Sequence, residues 1–332
     1  IYTLLLAALF INKLHWDTDD RVALSALIAI LLAALLYAWR VRNLTGRQAG
    51  TLLVMLLLLE LGNDSGYAFA DRDDEGRQAD LHKTRDNSDI AAYLHSQPDV
   101  FRVEKQTEAL SKNWAEYHNL DTIEAMGASV TSNVFNTEWH TWQTRLLYGA
   151  RFTIGEKPPL ADSKEVFTSA SGLKLYFNPG AWPRAWSVHE IIPIHNAGEG
   201  RLLVQDHLSD LRSKAFSMEQ IPALTACPAA DDVSVSKYAA ESVAVRANMG
   251  CDGMVVLSDT YFPGWRAKVD GQSARIYQVD NCVRGVLVPR GNHTLTMAYR
   301  PLSVYLGAGL TALGVAASLL LAFFASKREV SY

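Results

Sequence analysis

The side chains in this chain that could do chemistry are scattered acidic, aromatic and basic residues rather than a complete catalytic motif. The sequence contains no phosphate-binding glycine loop, nucleophile elbow, HExxH pair or CxxC pair. Its 9 histidines are dispersed, and neither His189 nor His293 has a partner at the spacing of metal ligands. We therefore assign no catalytic residue and no metal ligand within this segment.

An acidic cluster of Asp17, Asp19 and Asp20 lies between two apolar stretches near the start of the chain. Carboxylates in such a place could hold a divalent cation beside a lipid phosphate. Alternatively, they keep the end of a membrane helix in water and follow the charge bias of membrane loops. The sequence leaves both interpretations open.

Four aromatic residues, Trp182, Trp186, Tyr261 and Trp265, lie close to prolines. Because flat aromatic faces can stack on sugar rings, these residues and Arg184 are candidate contacts for a glycan or an acceptor. The alternative is structural, since the Pro-Gly pair within YFPGW is a turn signal and alternate aromatic residues on a strand commonly fill a core.

Three arginines, Arg102, Arg184 and Arg284, each lie beside a predicted strand. Guanidinium groups in such positions pair with carboxylates, or they hold an anionic carrier or acceptor if they line a cleft. The sequence does not decide between these roles.

The three cysteines, Cys227, Cys251 and Cys282, all lie in the polar middle of the chain. If VSVSKY and SVAVRANM pair as a hairpin, Cys227 and Cys251 meet at its open end. This arrangement predicts a disulfide between them and leaves Cys282 free, although three buried thiols remain the alternative.

These side chains are positioned by a chain whose apolar residues are concentrated at its two ends. The ranges 22–39 and 303–325 carry no charged residue and are long enough to cross a hydrocarbon core of about 30 Å. The range 44–61 is also predicted to span, because its two charged residues lie near its ends, where they can reach the headgroups. We interpret 1–11, which is too short to cross alone, as part of a helix that begins upstream of this segment.

The distribution of basic residues predicts the orientation of these spans. Arg40, Arg42 and Arg47 follow the first complete span, and the tail 326–332 is also basic. Because short cytoplasmic segments carry an excess of Lys and Arg, both should face the cytoplasm. The residues between the second and last complete spans should then lie on the extracytoplasmic side.

The predicted fold is a membrane protein with transmembrane α-helices and an extracytoplasmic α+β domain that ends in an antiparallel β-sandwich. Its predicted parts are membrane helices in 1–62, a polar linker at 63–80, an α+β region at 81–172, a β-sandwich region at 173–302, a C-terminal membrane helix at 303–325 and a cytoplasmic tail at 326–332.

Local patterns predict the elements of this outer domain. Helices are expected at 89–95, 120–126, 138–147 and near 201–208, and a strand at 100–103. From residue 173 onward, short alternating runs bounded by turn residues predict strands. Hairpin turns are expected at Asp270-Gly271 and at 290–292.

The segment from Leu257 to Tyr299, LSDTYFPGWRAKVDGQSARIYQVDNCVRGVLVPRGNHTLTMAY, leads directly into the last apolar stretch. It resembles the C-terminal region of the YfhO-like family of bacterial membrane proteins, in which a strand ending in YxPGW precedes a DG turn, an RGV strand and a G-x-H strand. FRVEK, RLLYGARFTI and LYFNPGAWPRAW further upstream resemble the same family.

The resemblance implies a GT-C type glycosyltransferase in the bacterial cytoplasmic membrane. Such enzymes transfer a sugar from a polyprenyl-phosphate carrier to an envelope glycan, with a divalent cation as a further implied cofactor. Their catalytic acidic residue belongs to a first outer loop, expected upstream of this segment, so no catalytic residue is transferred here. The implied partners are the lipid bilayer, a lipid-linked sugar and a glycan acceptor.

Three other classes of function differ in how well they agree with the sequence. A net charge of −4 and a pI near 6.2 argue against a nucleic acid partner. A transporter is disfavoured because the two clear spans hold no charge at mid-membrane. A membrane-anchored module that binds a glycan or a protein without catalysis remains the alternative.

Overall fold

The computed structural model describes residues 19–70, 75–123, 130–227 and 230–329. The chain divides into two compact units, Ile1–His82 and Lys83–Tyr332. The predicted partial helix at 1–11 and Asp17 lie outside the described residues, and Asp19 and Asp20 are the first two residues of a helix.

The first unit is helical. Its elements are α1 (Asp19–Arg40), α2 (Gly46–Ala70) and most of α3 (Glu75–Arg85). The Ser25 hydroxyl on α1 donates a hydrogen bond of 2.8 Å to Glu60 Oε1 on α2. Glu60 therefore bonds a neighbouring helix, whereas the sequence had suggested that it reaches the headgroups. Because 63–70 contains no proline, α2 continues into the predicted linker.

The second unit begins with helices and a small mixed sheet. Its first elements are α4 (Ser88–His95), β1 (Arg102–Gln106), α5 (Trp114–Tyr117), α6 (Ser132–Phe135), α7 (Trp142–Leu147), β2 (Ala150–Gly155), β3 (Lys164–Thr168) and β4 (Lys174–Phe177). The strands form an N-terminal sheet in the order β1-β2-β4-β3, in which β1 and β2 are parallel and the other pairs antiparallel.

A core of fully buried side chains packs α4 and α5 on this sheet. It includes Ile90, Leu94, Trp114, Ile154 and Leu175. The predicted helix at 89–95 is confirmed, because Ile90, Ala91 and Leu94 form a buried face at helical spacing.

The helix predicted at 120–126 is wrong in its described part, 120–123. Val103 N donates a 2.8 Å hydrogen bond to the Asp121 carbonyl, and Thr122 forms a β-bridge with Val103. The backbone of residues 121 and 122 therefore pairs with the edge strand β1. Such tertiary hydrogen bonds override the weak helix propensity of a short segment.

The remaining elements are β5 (Ala185–Val188), β6 (Glu190–Pro193), α8 (Ala197–His207), a 3₁₀ turn (Leu208–Arg212), β7 (Lys214–Ser217), β8 (Asp232–Ala239), β9 (Ser242–Met249), β10 (Gly253–Thr260), β11 (Trp265–Val269), β12 (Gln272–Ala274), β13 (Ile276–Val279), β14 (Val283–Val288), β15 (Gly291–Tyr299) and α9 (Leu302–Glu329). They form a central sheet in the order β13-β14-β10-β5 and an outer sheet in the order β12-β11-β15-β9-β8, both antiparallel, and a parallel pair β6-β7.

The central sheet is buried on both faces. Along β10, Met254 and Val256 join a core with α8 and β7, whereas Val255 and Leu257 join a core shared with the outer sheet. Burial on both faces explains the unbroken apolar run MVVL. The outer sheet has one wet face, so β9 alternates buried and exposed residues.

The two predicted turns have different outcomes. The Asp270-Gly271 hairpin is confirmed, because Val269 pairs with Gln272 and both turn residues have positive φ. The hairpin at 290–292 is wrong, since β14 belongs to the central sheet and β15 to the outer sheet. A turn signal marks a chain reversal, but it does not show whether the flanking strands pair.

The C-terminal helix α9 differs from the other elements of its unit because its apolar side chains are exposed. Among the described residues, Leu302–Leu320 is the one stretch long and apolar enough to cross a membrane, and Ser25–Arg40 is a shorter apolar stretch. Leu310 and Leu313 are 70% and 67% exposed. A helix with apolar side chains exposed in this way is suited to a lipid environment. The spans at 22–39 and 44–61 and the sidedness of the chain remain predictions.

A buried polar cluster lies at the end of β13. Phe216 N donates a 3.0 Å hydrogen bond to Asp280 Oδ1, and the Tyr148 hydroxyl donates one of 2.9 Å to the Asp280 carbonyl. Among the described residues, Asp280 Oδ2 has no hydrogen-bond partner. Burial raises the pKa of Asp280 to about 7 and that of the nearby Cys282 thiol to about 12.

The raised pKa of Asp280 predicts that stability falls as the pH rises. The folded state keeps the proton up to about pH 7, whereas the unfolded chain releases it near its ordinary pKa of about 3.9. Stability should therefore decrease between these values, by at most about 4 kcal/mol. Asp280→Asn should remove this contribution, so that thermal unfolding midpoints of variant and parent diverge between about pH 4.5 and 8.

The control is Asp206→Asn, which changes an exposed aspartate on α8. Its unfolding midpoint should follow that of the parent at every pH. Parallel curves for Asp280→Asn and the parent across this range would show that Asp280 is ionised in the folded protein.

Candidate functional site

A cleft of about 700 Å³ in the second unit lies where the N-terminal, central and outer sheets meet. Its polar rim includes His95 at the end of α4, Gln97 shortly after it, and Asn119 after α5. Its floor is formed by side chains from four strands, namely Arg102, Tyr238, Asp259 and Arg284, and Trp265 on β11 forms a wall. We refer to this region as the arginine cleft.

An irregularity in β10 places Asp259 on the floor of the arginine cleft. Leu257 pairs with Arg284, but the next pair is Thr260 with Val283, so Ser258 and Asp259 are extra residues on β10. A bulge of this kind redirects side chains. Ser258 N still donates a 2.8 Å hydrogen bond to the Arg184 carbonyl, which holds the bulge against the chain before β5.

The carboxylate of Asp259 collects three donors on one oxygen. Oδ1 accepts hydrogen bonds from Arg184 Nη2 at 2.6 Å, Arg102 Nη2 at 3.1 Å and the Tyr238 hydroxyl at 3.1 Å. The other carboxylate oxygen, Asp259 Oδ2, lies 3.9 Å from Arg284 Nη1, which is too far for a hydrogen bond. The structure thus brings all three sequence-predicted arginines around one carboxylate.

The electrostatics of this cluster are dominated by burial and by the arginines. Burial raises the pKa of Asp259, but the guanidinium groups of Arg184, Arg102 and Arg284 outweigh it and hold that pKa below its usual range. Burial lowers the pKa of Arg284 to about 10 and also lowers that of Arg102. Burial raises the pKa of the Tyr238 hydroxyl.

The cluster carries more positive than negative charge. Arg102, Arg184 and Arg284 face the buried carboxylate of Asp259 and a second carboxylate, Asp121, which is 40% exposed and lies 3.5 Å from Arg184. Within the part of the chain that the structure describes, Arg184 Nε and Nη1 and Arg284 Nη1 are buried without a hydrogen-bond partner. Buried donors without partners are costly, which favours an anion at this place.

Trp265 forms one wall of the arginine cleft and fixes the orientation of Arg284. The Arg284 guanidinium carbon lies 3.6 Å from the centre of a Trp265 ring, while Arg284 Nε donates a 3.0 Å hydrogen bond to the Thr260 carbonyl. These two contacts hold the planar guanidinium group in place. One face of Trp265 is therefore covered by an arginine.

The YFPGW turn connects this wall to the start of α9. Gly264 has φ of 107°, and its carbonyl accepts a 2.7 Å hydrogen bond from Arg300 N. A Cβ at Gly264 would lie 3.1 Å from Pro301 Cα. The rings of Trp265 and Tyr299 are 5.5 Å apart. The turn is thus packed against the residues that lead into the apolar helix.

The other candidate aromatic residues lie elsewhere. Trp182 and Trp186 are 4% and 7% exposed and pack edge to face at 5.0 Å in the core beneath α8. Tyr261 lies at the start of the YFPGW turn, where its carbonyl accepts a 2.8 Å hydrogen bond from Asn133. Of the aromatic residues predicted from the sequence, Trp265 is the one that lines the arginine cleft.

The cysteines and two of the histidines make contacts that stabilise the fold. Cys227 and Cys251 form a disulfide with their Cα atoms 6.2 Å apart, and Cys282 is a buried free thiol. His189 Nε2 lies 2.8 Å from Asp231 Oδ2 and His293 Nδ1 lies 2.6 Å from Asp270 Oδ2. The residues for which side chains are described include no group of three potential metal ligands.

Sequence reasoning missed Asp259 and Tyr238, which complete the arginine cleft. The signal for Asp259 is present in the sequence, because GMVVLSDT places one carboxylate two residues after the apolar run MVVL of a predicted strand. Buried carboxylates are rare without a cationic partner. Tyr238 gives no comparable signal, since a tyrosine on an alternating strand is ordinary.

Comparison with known proteins confirms the family resemblance over part of the chain. Residues 217–311 match the family model described as bacterial membrane protein YfhO. The matched segment runs from the end of β7 through β15 and into α9, and it contains Tyr238, Asp259, Trp265 and Arg284. A search of curated proteins and a search of solved structures found no match.

Neutralising Asp259 should destabilise the second unit. Asp259→Asn leaves three buried guanidinium groups around a neutral amide, and breaking a buried ion pair from one side typically costs about 3 to 5 kcal/mol. We expect a clear drop in the denaturant midpoint of unfolding, followed by tryptophan fluorescence. The control, Asp121→Asn, removes the exposed partner of Arg184 and should cost about 1 kcal/mol or less. Equal effects of the two substitutions would contradict this account.

Proposed function

We propose that this YfhO-like bacterial membrane protein is part of a multi-span GT-C type glycosyltransferase. Such an enzyme transfers a sugar from a polyprenyl-phosphate carrier to an envelope glycan. In this proposal the helices α1, α2 and α9 contribute to the membrane body. The sheets of the second unit face the extracytoplasmic side and form the domain that binds the acceptor.

The arginine cleft is the observation that carries this proposal. Carrier phosphates are anionic, as are many envelope glycans. The cleft has a volume of about 700 Å³, a size typical of ligand pockets, and Arg102 and Arg284 line it. Its rim residues His95, Gln97 and Asn119 provide polar groups that suit sugar hydroxyls. The matched family segment supplies three of its charged or polar floor residues, Tyr238, Asp259 and Arg284.

The connection to α9 supports a role at the membrane surface. Trp265 on the wall of the arginine cleft belongs to the same turn as Gly264, which bonds Arg300 just before the apolar helix. Aromatic residues at the end of a membrane helix commonly lie at headgroup level. A sugar carrier anchored in the bilayer would present its phosphate at that level. No residue of this chain is assigned the role of catalytic acid.

The function is tested by sugar analysis of envelope polysaccharides. A strain that lacks the gene should lose a sugar modification, and the full-length gene should restore it. A gene in which the acidic residue of the first outer loop is changed to Asn should fail to restore it. Unchanged glycans in the deletion strain would contradict the enzyme. Restoration by the Asn variant would instead favour a non-enzymatic module that binds a glycan or a protein.

The proposed sidedness is tested by labelling single cysteines in intact cells with a membrane-impermeant maleimide. Ser234→Cys, at an exposed position of β8, should be labelled directly. Asn43→Cys, at an exposed position between α1 and α2, should be labelled only after permeabilisation. The parent chain is the control, since two of its cysteines are joined and the third is buried. The reverse pattern would invert the proposed topology.

A further inference from the structure

We propose that Arg284 and Arg102 form a phosphate-binding site on the floor of the arginine cleft. The inference rests on the proposed function and deepens it, since it names the chemical group that this site takes. The ligand is a phosphate monoester or diester, delivered either by a polyprenyl-phosphate headgroup or by a soluble phosphodiester glycan.

The first step is the distribution of hydrogen-bond donors. Asp259 Oδ1 already accepts from Arg102, Arg184 and Tyr238, so this carboxylate is engaged by other groups. Arg284 Nη1 lies 3.9 Å from Oδ2 and has no hydrogen-bond partner among the described residues, although the Arg284 side chain is only 5% exposed. A buried donor that borders a cleft is satisfied when an anionic oxygen enters it.

The second step is preorganisation. Arg284 is held by the face of Trp265 at 3.6 Å and by its hydrogen bond to the Thr260 carbonyl. Arg102 is held by a 2.6 Å hydrogen bond from Nη1 to the Tyr148 carbonyl. Both guanidinium groups are therefore oriented before a ligand arrives. Planar forks with fixed orientation match the oxygens of a phosphate.

The third step is charge. Arg102 and Arg284, which line the cleft, and Arg184 face the carboxylates of Asp259 and Asp121, so this cluster carries a net positive charge. The further acidic residue of the lining, Asp99, is paired with Arg151. Burial lowers the pKa of Arg284 to about 10, so an added negative charge beside it would stabilise the protonated guanidinium group. A bound phosphate supplies that charge. The hydroxyl oxygen of a neutral sugar can accept a hydrogen bond from Arg284, but it leaves the positive charge uncompensated.

The test measures binding with the full chain in phosphatidylcholine nanodiscs, without any glycosyl transfer. Inorganic phosphate and a short glycerol-phosphate oligomer are the soluble probes, and binding is followed by calorimetry at constant ionic strength. Discs that contain a few mole per cent of polyprenyl phosphate form the lipid arm. The readouts there are the unfolding midpoint and competition with the soluble oligomer.

We expect Arg284→Gln to weaken binding by about tenfold or more, because a charge-assisted hydrogen bond is lost together with the positive charge. Arg284→Lys keeps the charge without the fork and should give a smaller loss. The matched control is Arg246→Gln, which removes the same charge from an exposed position on β9 and should bind as the parent does. Unfolding midpoints of all variants show whether they remain folded.

Each outcome decides the proposal. Binding of the oligomer that depends on Arg284 and is unaffected by polyprenyl phosphate identifies the phosphate of a soluble glycan, whereas competition or stabilisation by the lipid identifies the carrier. The proposed site is wrong if neither soluble probe binds the parent chain. It is also wrong if Arg284→Gln and Arg246→Gln reduce the binding affinity equally. Binding is measured without glycosyl transfer, so the two proposals are tested separately. The binding experiment can contradict the phosphate site while the glycan analysis supports the enzyme, and the opposite combination of results can also be recognised.

Discussion

The buried carboxylate of Asp259 joins strands of three different sheets. Its donors come from β1 of the N-terminal sheet, from the residue before β5 of the central sheet and from β8 of the outer sheet. These contacts are polar and directional, so they fix the mutual position of the sheets more narrowly than apolar packing does. The same contacts leave Arg284 without a full partner. The contacts of Asp259 therefore both fix the positions of the three sheets and leave a guanidinium group of the cleft without a full counter-charge.

Much of the fold follows from local patterns, because the outer sheet has one dry and one wet face. VSVSKY and SVAVRANM alternate, and both were predicted as strands that pair. The middle strands of the central sheet, β10 and β14, are harder to predict, since they are buried on both faces and their buried residues do not alternate with exposed ones. The error at 290–292 has a related cause, because a tight turn looks the same whether the chain stays in one sheet or crosses to another.

The candidate site was predictable only in part. The sequence singles out Arg102, Arg184 and Arg284, but their convergence depends on a bulge at Ser258 and Asp259 that exists only once β10 has paired with β14. Register across such distances is a tertiary property. For the aromatic residues, the sequence predicts too many contacts. Trp182 and Trp265 both lie near prolines and are equally good candidates for stacking on a sugar, yet of these two only Trp265 lines the cleft.

The junction between β15 and α9 is unusually short. Strand β15 ends at Tyr299 and α9 begins at Leu302, while Arg300 is bonded to Gly264 and Pro301 is packed against it. No flexible hinge separates the helix from the wall of the cleft. In the proposed membrane arrangement, the domain would act as a rigid spacer that keeps the cleft floor at a constant height above the bilayer. A ligand would then be selected by its reach as well as by its charge.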